Sequence, residues 1–432
     1  MVEIKGAIKT RTQISLEEAQ AIILDQIEGI NRVTEMDIGQ AQYQITAENI
    51  YARINLPPFA RSPVDGYAIF HEDVQGASME SPIMLQVIGE VLAGEQWEGE
   101  FIEKGAVRIM TGAPIPDEAT CVIRQEDVRL ISTHRGEEYV EEIEVNKVMQ
   151  RQENYCQLGE DILKDELMIE KGTRLEFVHI GMLMAQGIEL VRVYQIPKVL
   201  LITTGNELLS KREVLNKPIS QQKWEQEMFQ AGRIYDYNLG ALKHRFIDWK
   251  VEIDTIHCRD SEHRLAELIQ RKVNRYDFIV TTGGVSVGKK DILHQTYELL
   301  GVEKYFWKVN MKPGSPAMFT KYQNTPILSL SGNPYAALVT LEVLAKPIIK
   351  CLRRDPSLTS DYKKGVLQSD FHKTAKVRRF VRVRIEENKV YIESKIHSSG
   401  AIISMGNCNG FLEVPPGECL LEKGTLVNVL IL

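Results

Sequence analysis

The hydrophobic and polar positions of this chain change period several times, and each change marks an element boundary. Residues 15–28, SLEEAQAIILDQIE, repeat at helical spacing. Leu16, Ala19, Ile23 and Ile27 share one face, and Ser15 with Glu18 forms a capping box that predicts the helix start. That stripe needs a cover, supplied by its own domain or by a partner subunit. In residues 46–64, Pro57, Pro58 and Pro63 exclude a regular element and predict an extended crossing between domains. It runs into Asp65-Gly66, which by turn chemistry alone reads as a β-turn. Residues 83–150 read as all-β: IMLQVIGEVL and AVRIMTG are separated by Gly, Pro and charged turns.

From about residue 190 the pattern becomes strand-helix alternation. PKVLLITTGNEL (197–208), KVEIDTIHCRD (250–260), DFIVTTGGVSVGKKD (277–291) and TPILSLSGNPYAALVTLEVL (325–344) each begin with a buried-strand run. GRIYDYN (232–238) reads as another strand, ending at Asn238, and EHRLAELIQRKV (262–273) as an amphipathic helix. These units predict a three-layer α/β/α domain with a mostly parallel sheet. A polar run after Asp355-Pro356 reads as a linker, and residues 365–432 return to short strands, predicting a small terminal barrel or sandwich.

Ligands of parallel sheets sit beyond the carboxyl ends of the strands. Glu207, Asn238, Asp260, Gly283–Gly288, Lys312 and Gly332–Asn333 all follow strands at that end. Residues 277–291 run from strand through a glycine turn to a helix start, which aims backbone N–H groups at one spot suited to phosphate. The Lys-Ser/Thr pair of a Walker loop is missing, and the glycine spacing is not that of a dinucleotide fold. Lys312 adds positive potential, while Asp65, Asp161, Glu207, Asp260 and Asp291 offer hard oxygen ligands. Carboxylates beside phosphates point to Mg²⁺. The residues alone therefore indicate a Mg²⁺-dependent enzyme acting on a phosphate-bearing small molecule. Taken singly, each acid is also explained as a helix N-cap or a surface group.

Composition narrows this picture. A chain of 432 residues exceeds one core, so roughly two to four domains are expected. Net charge is −7 with no long basic block, which disfavours nucleic acid as a partner. The start, MVEIKGAIKTRTQ, lacks the apolar core of a signal peptide, and no run approaches the ~18 apolar residues of a membrane span. The six cysteines contain no CxxC pair, which suits a reduced cytoplasmic protein without a cysteine zinc site.

Seven motifs in order, PPFARSPVDGYAI, RIMTGAPIPDEATCVIRQED, GEDI, TTGNEL, TTGGVSVGKKD, KPGSP and LSGNPYAALVTLEVL, resemble those of the MoeA-type molybdopterin molybdenumtransferases. The E domain of gephyrin is similar. The resemblance spans nearly the whole chain. It implies an elongated linker domain (1–45 plus 162–188), an inserted β-domain (46–161), an α/β/α molybdopterin-binding domain (189–355) and a C-terminal β-barrel (356–432). It also implies a cytoplasmic homodimer whose site joins the α/β/α domain of one chain to the β-domain of the other. The implied reaction inserts molybdate into adenylylated molybdopterin and releases AMP, with Mg²⁺. By motif, Asp65, Asp161, Glu207 and Asp291 are the catalytic acids, the first two supplied across the dimer. Glu207, Asp260 and Asp291 are the implied metal ligands. Thr204, Gly205, Asn238, Gly283, Gly284, Ser286 and Gly288 would bind substrate, with Lys312, Pro313, Ser331, Gly332 and Asn333 on its anionic groups.

Some positions depart from the family pattern. Cys156 stands where an Arg is expected, Lys289 and Lys290 where relatives carry an acid, Ser315 for Lys and Tyr237 for Ser or Thr, and residues 209–231 form a longer insert. These leave open a paralogue using tungstate or a modified pterin, a non-catalytic cofactor-binding scaffold, or an ATP-consuming adenylylation step. The receiving partner would be another cofactor-biosynthesis protein or an apo-molybdoenzyme.

Overall fold

The computed structural model describes residues 11–135, 138–209, 221–285, 292–373, 376–392, 400–417 and 420–432. The chain divides into two compact units: Met1–Glu35, Tyr43–Ile45 and Arg192–Leu432, and Met36–Gln42 with Thr46–Val191.

The first unit is built on a seven-stranded sheet. Its strands are β1 (Arg11–Ile14), β2 (Lys198–Thr204), β3 (Glu252–Cys258), β4 (Phe278–Thr282), β5 (Glu303–Val309), β6 (Met318–Tyr322) and β7 (Thr325–Leu330). Their order is β1-β5-β6-β7-β4-β2-β3, and only β6 runs antiparallel to its neighbours. β4 and β7 are buried along their whole length, which explains why their sequences are continuous apolar or Thr/Ser runs rather than alternating ones. Alternate residues nonetheless serve different cores. Val199, Leu201, Phe278 and Val280 pack with α1 (Leu16–Asp25) and a helix at Tyr237–Asp248, whereas Leu200, Ile202 and Ile279 pack with helices at Glu262–Lys272 and Ile292–Leu300. This gives the expected three layers.

The N-terminal segment differs from expectation. The resemblance implies a linker domain that includes residues 1–45, whereas Arg11–Ile14 adds a parallel edge strand to β5, and the stripe Leu16, Ala19, Ile23 and Ile27 is buried in the first unit's core. The capping box forms: Ser15 Oγ accepts from the Glu18 N–H at 3.1 Å, and Glu18 Oε2 accepts from the Ser15 N–H at 2.8 Å. An apolar stripe states that a cover exists, not which surface supplies it.

The C-terminal strands β8 (Tyr362–Leu367), β9 (Arg378–Glu386), β10 (Lys389–Ile392), β11 (Gly410–Val414) and β12 (Leu426–Ile431) close in the order β9-β10-β8-β12-β11-β9, a barrel without a free edge. Leu367, Val383, Val390, Leu412 and Val429 fill it. A two-residue strand, Met311–Lys312, pairs in parallel with β9.

The second unit carries a six-stranded sheet in the order Cys121–Arg124, Gly66–Ile69, Gly105–Ile109, Ile83–Val91, Glu138–Val145, Val128–Arg135. The Asp65-Gly66 turn reading is corrected here: Gly66 begins a strand. A Cβ at Gly66 would lie 2.0 Å from the Ile123 carbonyl oxygen, so the glycine is required by close backbone approach rather than by a turn. Among the described residues no helix is long and apolar enough to cross a membrane.

Candidate active site

Beyond the carboxyl ends of β2, β3, β4 and β7 lies a cavity of about 1150 Å³. Its lining unites Thr204, Gly205 and Glu207 after β2, Asp260 after β3, Gly283 and Gly284 after β4, and Ser331, Gly332 and Asn333 after β7. Asn238, Lys312 and Pro313, also expected, line it as well. Ser286, Gly288, Lys289, Lys290 and Asp291 lie outside the described residues. Asp65 and Asp161 belong to the second unit and are not among the residues lining this cavity.

The two glycine turns are built for contact with each other. Gly283 has φ +93°, and a Cβ there would sit 2.6 Å from both the carbonyl oxygen and Oγ1 of Thr204. The Gly283 N–H donates to the Leu330 carbonyl at 3.2 Å, so this amide is used by the fold. A Cβ at Gly332 would come within 3.3 Å of Gly283 Cα. Asn238 ties the strand ends together: its Nδ2 donates to the Gly332 carbonyl at 2.8 Å and to Thr282 Oγ1 at 3.2 Å. Its Oδ1 is buried with no hydrogen-bond partner among the described residues. Asn238 does not end a strand, as expected, but lies in the first turn of the Tyr237–Asp248 helix, whose N-cap is Asp236. Only Ile234–Tyr235 is extended, pairing in parallel with Leu208–Leu209.

Charge is distributed unevenly over the site. Glu207 and Asp260 are exposed on adjoining loops. Asp260 Oδ2 accepts from the Asn206 N–H at 3.2 Å, and Asn206 Oδ1 accepts from the Asp260 N–H at 3.3 Å. Opposite in sign is a basic group near Lys312: burial, then the charges of Arg379 and Lys312, hold the Lys373 ammonium below the usual lysine range. Among the described residues no group of three or more His, Cys, Asp or Glu is arranged to hold a metal ion. The pair Glu207 and Asp260 still suits Mg²⁺, which takes one or two carboxylates and completes its shell with water and substrate phosphate.

In the second unit, Asp65 Oδ1 accepts from both the N–H and the Oγ1–H of Thr111, each at 2.7 Å. These bonds, the backbone one foremost, hold the Asp65 carboxyl below the ordinary carboxylate range. Thr111 escaped the sequence reading although it lies inside a quoted motif. Also missed were Phe229 from the insert, Ile234 and Tyr235 just after it, and Val377, Gly400 and Ile402 from the barrel side.

Comparison with known proteins decides the family. Residues 14–187 match the profile of the MoeA N-terminal region (domain I and II), 200–351 that of a probable molybdopterin binding domain, and 364–432 that of the MoeA C-terminal region (domain IV). A molybdopterin molybdenumtransferase from Bacillus subtilis is 30% identical over 98% of this chain and 95% of its own length. Its namesake from Haemophilus influenzae is 31% identical over 83% and 85%. The chain belongs to the MoeA family. The fold agrees: the crystal structure of the molybdopterin biosynthesis MoeA protein from Pyrococcus horikosii superposes with a TM-score of 0.80 at 30% identity, over 97% of this chain and 99% of that one. Within the MoeA family frame, the cavity lies in the part that matches the molybdopterin-binding profile, with its rim completed from the C-terminal region.

Proposed function

We propose that this protein completes molybdenum cofactor, inserting molybdate into adenylylated molybdopterin and releasing AMP. One observation carries the reading: in a chain of the MoeA family, motif residues from Thr204 to Asn333 line a single cavity at the carboxyl ends of the sheet. The names of the relatives support the reaction.

Gly284 and the loop Ser331–Asn333 hold the phosphates of the adenylylated substrate. Lys312, with Lys373 and Arg379 behind it, supplies positive potential for anionic groups, molybdate among them. Glu207 and Asp260 hold Mg²⁺, with Asp291 as the third acid of the set. When bound, Mg²⁺ offsets negative charge on the phosphoanhydride. Asn238 keeps the two glycine turns in register, so the phosphates and the carboxylates stay on one side of the sheet. Asp65 and Asp161 act from the other chain of a cytoplasmic homodimer. The division at 46–161, 189–355 and 356–432 stands as part of this proposal, with residues 11–35 moved to the α/β/α domain.

The test is direct. Purified protein with Mg²⁺, molybdate and adenylylated molybdopterin is expected to release AMP. Folded protein that binds the substrate and releases none would overturn the transferase reading, and pyrophosphate released from ATP in the presence of molybdopterin would favour adenylylation.

A further inference from the structure

The end of the insert and the segment that follows it build one wall of the cavity. The helix Gln221–Gln230 carries Phe229 in its last turn, and the chain returns through Ile234 and Tyr235. Phe229 is 50% exposed, Ile234 52% and Tyr235 41%, and all three line the cavity. Half-exposed ring and alkyl surface on a cavity wall favours a ligand that takes it out of water.

The wall is held in place. Phe229 and Tyr235 meet edge to face with ring centroids 6.0 Å apart. The Tyr235 hydroxyl donates to Glu225 Oε1 at 2.7 Å, which fixes the ring and uses its polar end. The Ile234 N–H donates to the Glu207 carbonyl at 2.8 Å, and an Arg233 Nη2–H donates to the Leu208 carbonyl at 2.8 Å. One backbone and one side-chain bond thus tie the segment leading to Tyr235 to Glu207 and Leu208.

We propose that Phe229, Ile234 and Tyr235 form a stacking platform for the purine base of the nucleotide, whose phosphate lies on the glycine turns. This deepens the function proposed above and rests on its reading of the cavity as a phosphate site. A purine suits the wall better than a pterin. The three side chains present ring and alkyl surface, and their one hydrogen-bond donor, the Tyr235 hydroxyl, is taken by Glu225, which is enough to stack a base whose edges stay in solvent. A pterin carries more donors and acceptors than this wall satisfies.

Calorimetric binding to the purified full chain separates the parts. The ligands are AMP, ribose 5-phosphate, which keeps the phosphate and lacks the base, and phosphate-free pterin. Wild-type protein is expected to bind AMP about 5- to 150-fold more tightly than ribose 5-phosphate, the range for one stacked base. The double variant Phe229→Leu, Tyr235→Leu should bring AMP down to the ribose 5-phosphate level and leave ribose 5-phosphate unchanged. Tyr235→Phe, which keeps the ring, should retain AMP. Equal wild-type affinities, a double variant that loses both ligands together, or one that loses pterin but keeps AMP would overturn the platform. No AMP binding at all would overturn it as well. Base-dependent AMP binding without ribose 5-phosphate binding would support the platform and overturn the phosphate reading alone.

Discussion

At the scale of single residues, the chemistry of this protein depends on partners that lie far apart in sequence. Asp65 is held as a carboxylate by Thr111, 46 positions away. Removing the hydroxyl alone weakens that hold, because the Thr111 N–H remains. In Thr111→Val the Asp65 carboxyl should rise toward its ordinary value, since a hydrogen bond to the charged form is lost. If turnover needs Asp65 ionised, the acid limb of the pH–rate profile moves to higher pH in this variant. Thr111→Ser, which restores the donor, should return the limb to its wild-type position. A limb that does not move in Thr111→Val would remove Asp65 from the acid side of the profile. The sequence contains Asp65 as a visible candidate because an acid stands beside a glycine after a proline-rich run. Thr111 has no such signal: a threonine that orients a remote carboxylate looks like any threonine in a loop.

At the scale of elements, hydrophobic period gave the sheet and most of its strand-end residues, because each buried strand ends where apolar residues give way to Gly, Asn or acid. The period could not show how helices are anchored. The helix Pro334–Thr340 continues through one π turn, Leu341–Ala345, into Lys346–Arg353. Within the π turn Glu342 is fully buried, and its Oε1 and Oε2 accept from Arg245 Nε–H at 2.6 Å and Nη2–H at 3.2 Å. Lys346 Nζ lies 3.9 Å from the same carboxylate. Charges so placed are costly to separate, since each leaves the other unpaired out of water. Glu342→Gln should therefore lower stability by about 3–5 kcal/mol, read from the urea midpoint with an unchanged slope. Loss below about 1 kcal/mol would show that Arg245 reaches solvent when its partner is neutral. Arg382 follows the same logic at the barrel: its guanidinium sits 4.4 Å from the Tyr335 ring centroid and donates to the Ala401 carbonyl, joining β9 to the helix that follows Asn333. Neither buried charge could be read from pattern, because a charged residue inside an apolar run is indistinguishable from a solvated one until its partner is known. The wall at Phe229 was hidden for the reverse reason. In QQKWEQEMFQ the apolar positions are too few to specify a neighbour, and a half-exposed aromatic has meaning only beside the cavity it faces.

At the scale of the whole molecule, the proposed site needs two chains. Glu207 lies in the first unit and Asp65 in the second, and the proposal places them together across a homodimer interface. Twofold symmetry makes this testable without any further structure. Glu207→Gln and Asp65→Asn each remove an acid from every site of their own homodimer, so each alone should lose most turnover. When the two variants are mixed and allowed to exchange subunits, half of the dimers become heterodimers. If the acids meet in trans, every heterodimer has one site with both acids intact and one site with neither, so AMP release should recover to about a quarter of the wild-type rate. If the acids meet within one chain, every site in the mixture lacks one acid and no recovery occurs. The two arrangements differ in outcome and not merely in degree, because the geometry of an isologous dimer fixes which sites can be complete. Different affinity tags on the two variants, with doubly tagged dimers recovered from the mixture, establish that subunits exchange and make absence of recovery decisive against the shared site rather than a failure of assembly.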